Sequence, residues 1–133
     1  MRASHDVCHV AIPARDLDDT ADFYGQLLGC GIARRYADRI TFNFFGDQLV
    51  CHLQPDEPAR EPRLYPRHFG ITFRHREDFD ALLRLVQMRD LPVFQPVGKR
   101  FEGLAEEHLA VVLRDPTDNL LEFKHYLDPR MMY

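Results

Sequence analysis

Residues 9–29 read His-Val-Ala-Ile-Pro-Ala-Arg-Asp-Leu-Asp-Asp-Thr-Ala-Asp-Phe-Tyr-Gly-Gln-Leu-Leu-Gly. The apolar run 7–12 (VCHVAI) that opens this stretch predicts a β-strand, leading through Pro13 into a helix over about 17–28. Asp16 suits the N-cap, and Asp18 and Asp19 favour the positive end of the helix dipole. Leu17, Ala21, Tyr24 and Leu28 recur at helical spacing as one apolar stripe, and Gly29 suits the C-terminal stop. The opening pattern then returns. His9-Val-Ala-Ile-Pro-Ala-Arg15 and His68-Phe-Gly-Ile-Thr-Phe-Arg74 share H-x-small-Ile-x-x-Arg, 68 − 9 = 59 residues apart.

Each copy of this unit is followed by three predicted strands. In the first half they fall at 32–37, 39–45 and 48–53, with Gly46-Asp47 as a tight turn between the last two. In the second half a strand at 68–73 leads to a helix at about 77–88, with Phe79, Leu82, Leu83 and Val86 on one face. Strands near 93–97, 108–114 and 119–126 follow, the last two joined by Asp115-Pro116-Thr117-Asp118. Residues 54–66 (QPDEPAREPRLYP) carry four prolines among charges and read as an extended linker. The polar segment 98–107 (GKRFEGLAEE) reads as a mobile loop or lid. The order is βαβββ twice, which predicts an α+β fold with mainly antiparallel pairing. Two paired βαβββ modules, about 5–54 and 67–127 with the linker at 54–66, would form a curved sheet around a shared cavity in a single 1–133 domain.

Composition narrows the class of function. At 133 residues the chain is long enough to bury a core, and 45% apolar with 29% charged residues is ordinary for a globular protein. A net charge of −4 gives no footprint for nucleic acid or a membrane surface. No apolar stretch reaches the roughly 20 residues of a membrane span. The N-terminus lacks the apolar core of a signal peptide, so the expected location is the cytoplasm. Cys8, Cys30 and Cys51 are odd in number and lack CxxC spacing, which argues against a disulfide framework or zinc knuckle. Cys8 and Cys51 are next to His9 and His52, and strand alternation turns adjacent residues to opposite faces. Both are therefore expected as small buried apolar side chains.

Three ionisable residues stand inside these apolar strands: His9, His68 and Glu122. Burying such groups is costly unless they are paired or bound. Taken singly, each histidine is accounted for by hydrogen bonding to neighbours or by exposure at a strand edge. Taken jointly, two histidines at the same point of a repeat, with a carboxylate among Leu120, Leu121 and Phe123, favour a divalent-metal ligand set. Alternation adds His52, which shares a strand face with Val50 and Gln48, and one face per strand would supply His9, His52, His68 and Glu122 to one cavity. His125 has the opposite parity to Glu122 and is expected to point away. His5 and His75 read as exposed or capping residues, and His108 stays open as a proton shuttle facing the cavity. Arg114 and Lys124 are candidates for holding an anionic substrate, though long basic side chains on strands are usually solvated.

These residues resemble a known family. The stretch His9–Gly29 resembles the opening of the vicinal oxygen chelate superfamily, which includes glyoxalase I, type I extradiol dioxygenases, and fosfomycin- and bleomycin-resistance proteins. Asp115-Pro-Thr-Asp-Asn-Leu-Leu-Glu-Phe-Lys124 resembles its closing motif, DPxGNxxE, with Asp118 in the place of the turn glycine. Asp tolerates left-handed backbone, so the turn is expected to survive. The resemblance implies paired βαβββ modules with metal ligands from the first and last strand of each. By position these are His9, His52, His68 and Glu122, and His9, His68 and Glu122 resemble the two-histidine-one-carboxylate set of extradiol dioxygenases. His52 falls where glyoxalase I-like members carry a glutamate that also serves as a base, so it is expected as a fourth ligand or an acid/base.

The resemblance implies a small-molecule substrate, a divalent metal and a homodimer. Fe(II) or Mn(II) is the favoured ion, with Zn(II) or Ni(II) as the alternatives. The leading expectation is a dioxygenase-like enzyme acting on a small aromatic or diol substrate. A glyoxalase I-like lyase or isomerase, or a thiol or water transferase, is the second. A metal-free antibiotic-binding protein of the bleomycin-sequestering kind is the third.

Overall fold

A computed structural model describes residues 2–133. The chain divides into two compact units, one ending at Arg60 and the other spanning Glu61–Tyr133. The boundary falls inside the proline-rich segment 54–66, which contains no strand or helix. Its prolines lack the N–H that a ladder or helix would use.

The first unit contains β1 (His9–Ala14), α1 (Leu17–Ala21), β2 (Gly31–Arg35), β3 (Arg39–Phe44) and β4 (Asp47–Leu53). Its sheet has the order β1-β4-β3-β2, with β1 parallel to β4 and the other pairs antiparallel. Pro13 lies within β1 rather than ending it. An edge strand tolerates the missing donor.

Asp16 caps α1 as expected, its carboxylate accepting from the N–H groups of Asp18 (2.8 Å) and Asp19 (2.9 Å). The helix does not run regularly to residue 28. At Asp22–Leu27 it widens into a π-helical turn, in which the Leu28 N–H donates to Phe23 O at 2.9 Å. The altered step buries Phe23 beside Tyr24, a residue that the stripe Leu17, Ala21, Tyr24, Leu28 leaves out. Tyr24 packs its ring 5.3 Å from Phe42, so this face of the sheet is the helix-covered core.

The hairpin between β3 and β4 turns at Phe45-Gly46, not Gly46-Asp47. Asp47 already pairs with Phe44, and both turn residues have positive φ (54° and 95°), the mark of a two-residue turn matched to strand twist. Cys30 and Cys51 are buried, but Cys8 is exposed. It precedes β1, where its backbone is tied to Asp47 and Gln48 while its side chain has no core to enter.

The second unit contains β5 (Phe69–Thr72), α2 (Arg76–Met88), β6 (Val93–Arg100), β7 (His108–Arg114) and β8 (Leu120–Tyr126). The order β5-β8-β7-β6 repeats that of the first unit, again with one parallel pair, β5 with β8. Two four-stranded mixed sheets with few helices make this an α+β fold of the expected βαβββ pattern. Phe79, Leu82 and Val86 of α2 are buried, and Phe79 packs 6.4 Å from Phe73. His125 lies on this same side, stacked on Phe79 and bonded through Nδ1 to Phe73 O at 3.1 Å. It therefore points away from the face that carries Glu122.

The expected loop 98–107 begins as strand, because β6 continues to Arg100 opposite His108. The remainder is held locally by Glu107, whose carboxylate accepts from Gly103 N at 2.7 Å and pairs with Lys99 at 3.5 Å. Among the described residues, no helix is long and apolar enough to cross a membrane.

Candidate metal centre

The turn before β8 sets the position of Glu122. Asp115 is buried, and its Oδ1 accepts from the N–H groups of Thr117 and Asn119, both at 2.8 Å. Its Oδ2 accepts from Asn119 Nδ2 at 2.7 Å. Asp118 adopts φ 69°, the left-handed conformation expected of the residue in the glycine position. Its carboxylate accepts two hydrogen bonds from the Arg114 guanidinium, at 3.0 and 2.8 Å. Those bonds, with Glu61 nearby, raise the Arg114 pKa above its ordinary value. Arg114 is thus committed to the turn.

From this turn β8 runs through the middle of its sheet, and Glu122 is buried at 6% exposure. The neighbouring strand approaches it unusually closely. A Cβ at Gly70 would lie 1.8 Å from Glu122 O, so only glycine fits opposite this residue. His68 is two residues before Gly70, on the same face of the sheet. Its Nε2 lies 3.3 Å from Glu122 Oε2, and its Nδ1 lies 2.7 Å from Leu64 O.

The Nδ1 proton follows from these contacts, because a backbone carbonyl only accepts. Nε2 then faces a carboxylate oxygen, and either a proton on Nε2 or a cation shared by the two atoms satisfies the contact. Bonds of about 2.1 Å to a common metal put neighbouring ligand atoms about 3.0–3.4 Å apart, for right-angled to tetrahedral geometry. The observed separation lies in that range. A ligating histidine also characteristically donates its other ring N–H to a carbonyl. The spacing of this one pair is that of two neighbouring ligands of a divalent cation.

Lys124 Nζ lies 3.8 Å from the same Glu122 oxygen and 5.5 Å from the Tyr126 ring. His108 is buried on this face, opposite Tyr126, with Nδ1 bonded to Glu106 O at 2.9 Å.

In the first unit, His9 is exposed, and its Nδ1 donates to Gln48 Oε1 at 2.6 Å. His52 is not beside it. The register pairs His9 with Gln48 and Pro13 with His52, four residues or about 13 Å further along the strand. The comparison of units explains the offset. Ala11 and Gly70 each follow the strand histidine by two residues, and their partners are Val50 and Glu122. Val50 is thus the counterpart of Glu122, and His52 that of Lys124. Among the described residues, no group of three or more His, Cys, Asp or Glu side chains is placed to hold a metal ion.

The doubled βαβββ pattern and the turn before Glu122 agree with what comparison with known proteins finds. Residues 7–123 match the model of the Glyoxalase/Bleomycin resistance protein/Dioxygenase superfamily. The chain belongs to this superfamily. A solved glyoxalase/bleomycin resistance protein/dioxygenase from Alicyclobacillus acidocaldarius is 59% identical, with all of both chains covered and a TM-score of 0.95. The fosfomycin resistance protein FosX from Listeria monocytogenes is 15% identical, at a TM-score of 0.70 over 98% of this chain and 99% of its own. That second likeness shows the fold alone. A glyoxalase domain-containing protein, RDO1, from Mycosarcoma maydis is 26% identical over 92% of this chain and 69% of its own length. Divalent metals are common cofactors in the superfamily.

Proposed function

We propose that this chain is a divalent-metal-dependent enzyme with dioxygenase-like activity on a small aromatic or diol substrate, using Fe(II) or Mn(II). The observation that carries the reading is the His68–Glu122 pair: 3.3 Å apart, with the histidine proton committed to Leu64 O. His68 would offer Nε2 and Glu122 its buried carboxylate, with Lys124 at 3.8 Å offsetting part of the negative charge. When bound, such an ion supplies Lewis-acid polarisation of two neighbouring substrate oxygens at its open positions.

A second observation favours the dioxygenase reading over the glyoxalase-like one. His52 stands at the position where the resemblance places the glutamate base of glyoxalase I-like members, so that carboxylate is missing. His52 remains a candidate acid/base, tested by substitution. Oxygen uptake by Fe(II)-loaded protein with a panel of catechols tests the reading. Uptake with ring-cleaved product, abolished in Glu122→Gln, is expected. Turnover of the methylglyoxal–glutathione hemithioacetal without oxygen uptake would overturn it.

A further inference from the structure

Among the described residues, a single buried side-chain nitrogen or oxygen lacks a hydrogen-bond partner: Arg100 Nη2. A guanidinium carries five donors and a permanent charge, so leaving part of it buried and unanswered is costly. The carboxylates nearest in sequence do not answer it. Glu102 and Glu107 both pair with Lys99, at 3.3 and 3.5 Å, and Glu107 also takes Gly103 N. Arg100 itself makes one long bond, Nη1 to Lys99 O at 3.3 Å.

The register places Arg100 on a definite face of the sheet. The register runs Arg100–His108–Tyr126 across β6, β7 and β8, and Gly98–Ala110–Lys124–Thr72 in the row beside it. Glu122 and Lys124 stand on this same face of β8. A Cβ at Gly98 would sit 3.2 Å from Arg100 Nη1, so the glycine leaves the space in which the guanidinium lies along the strand. The row between Arg100 and Glu122 carries the small residues Gly98 and Ala110 beside Lys124. The aromatic rings of Phe101 and Tyr126 pack around His108, at 5.7 and 4.7 Å.

We propose that Arg100, assisted by Lys124, anchors a carboxylate carried by the substrate. The substrate class would be a small aromatic diol bearing an acid group, rather than a neutral diol. A planar guanidinium matches a carboxylate through two parallel N–H···O bonds, a fit that lysine lacks. The proposal rests on the metal-dependent reading for the diol end of the substrate, whereas the acid end depends on Arg100 alone.

The test compares binding of catechol and 3,4-dihydroxybenzoate to Mn(II)-loaded and metal-free protein, for the wild type, Arg100→Met and Arg100→Lys. In the wild type the acid is expected to bind about tenfold or more tightly than catechol, the return on a charge-assisted pair. Arg100→Met should remove that preference while leaving catechol binding and metal affinity unchanged, and Arg100→Lys should keep part of it. Inorganic phosphate should compete with the acid in the wild type and not in Arg100→Met. A wild-type ratio near one, or a ratio unmoved in a folded Arg100→Met chain, overturns the proposal. If Arg100→Met does not fold, the Arg100→Lys ratio and the phosphate competition decide it. An acid preference that survives without metal, in a chain that binds no metal, would sink the metal reading and leave this one standing.

Discussion

Replacing Asp115 with alanine removes the carboxylate on which the turn into β8 is folded. Three donors lose their acceptor: Thr117 N, Asn119 N and Asn119 Nδ2, at 2.8, 2.8 and 2.7 Å. The Thr117 bond is buried, and an orphaned buried donor costs about 1–3 kcal/mol. The two Asn119 bonds are half-buried, so water recovers part of each and about 0.5–1.5 kcal/mol per bond is lost. The sum centres on about 4 kcal/mol, a large share of the 5–15 kcal/mol that keeps a typical domain folded. Urea denaturation followed by circular dichroism measures it as a lower midpoint at unchanged slope. Asp115→Asn keeps one carbonyl oxygen for the two backbone donors but can turn an amide towards Asn119 Nδ2, so about 1–2 kcal/mol is expected. Adding Asn119→Ala to that variant should cost less than it does in the wild type, because the facing donor is then gone. A loss below about 1 kcal/mol for Asp115→Ala would refute the claim that this carboxylate holds the turn.

Further outcomes follow from the same structure. Gly70→Ala puts a methyl group against Glu122 O, a backbone atom that cannot swing aside, so a loss at or above the upper end of the usual 1–3 kcal/mol for overpacking is expected. An unchanged melting temperature would show that the two strands do not approach so closely. Of the three thiols, Cys8 alone should react quickly with a chromogenic disulfide in native protein, since Cys30 and Cys51 are buried. Burial pushes the Cys30 thiol from its ordinary 9.0 up to about 12. The native state holds that proton more tightly than the unfolded chain does, so its contribution to stability is complete below pH 9.0 and is lost as pH rises towards 12. Rapid labelling of more than one thiol at neutral pH would contradict this.

Much of the architecture was legible because strand and helix periods are local signals. The repeat of His9–Arg15 at His68–Arg74 announced two like modules, and Asp16 and Gly29 marked the helix between its cap and its stop. What is not legible depends on registration between distant segments. The parity that groups His52 with Gln48 and Val50 is correct, but alternation carries no information about position along the strand. Only the pairing of His9 with Gln48 shows His52 to be four residues away from it. The π-helical turn escaped because its signal is a change in step that a stripe of apolar residues cannot reveal. Arg100 was hidden in a segment whose glycines and charges read as loop, and its isolation depends on where Glu102 and Glu107 point. The same limits apply to Arg114, whose hold on Asp118 and Glu61 depends on the folded turn. Asp118 shows the opposite case: the left-handed residue required by the turn followed from local chemistry and is present at φ 69°.

The central claim is that His68 and Glu122 together hold a divalent ion. Titrating Mn(II) into metal-stripped protein, with free Mn(II) read by electron paramagnetic resonance, tests it most directly. One ion per chain is expected in the wild type, with affinity falling about tenfold or more in both His68→Ala and Glu122→Gln, since each removes a donor from the ion. Unchanged affinity in both folded variants would contradict the account.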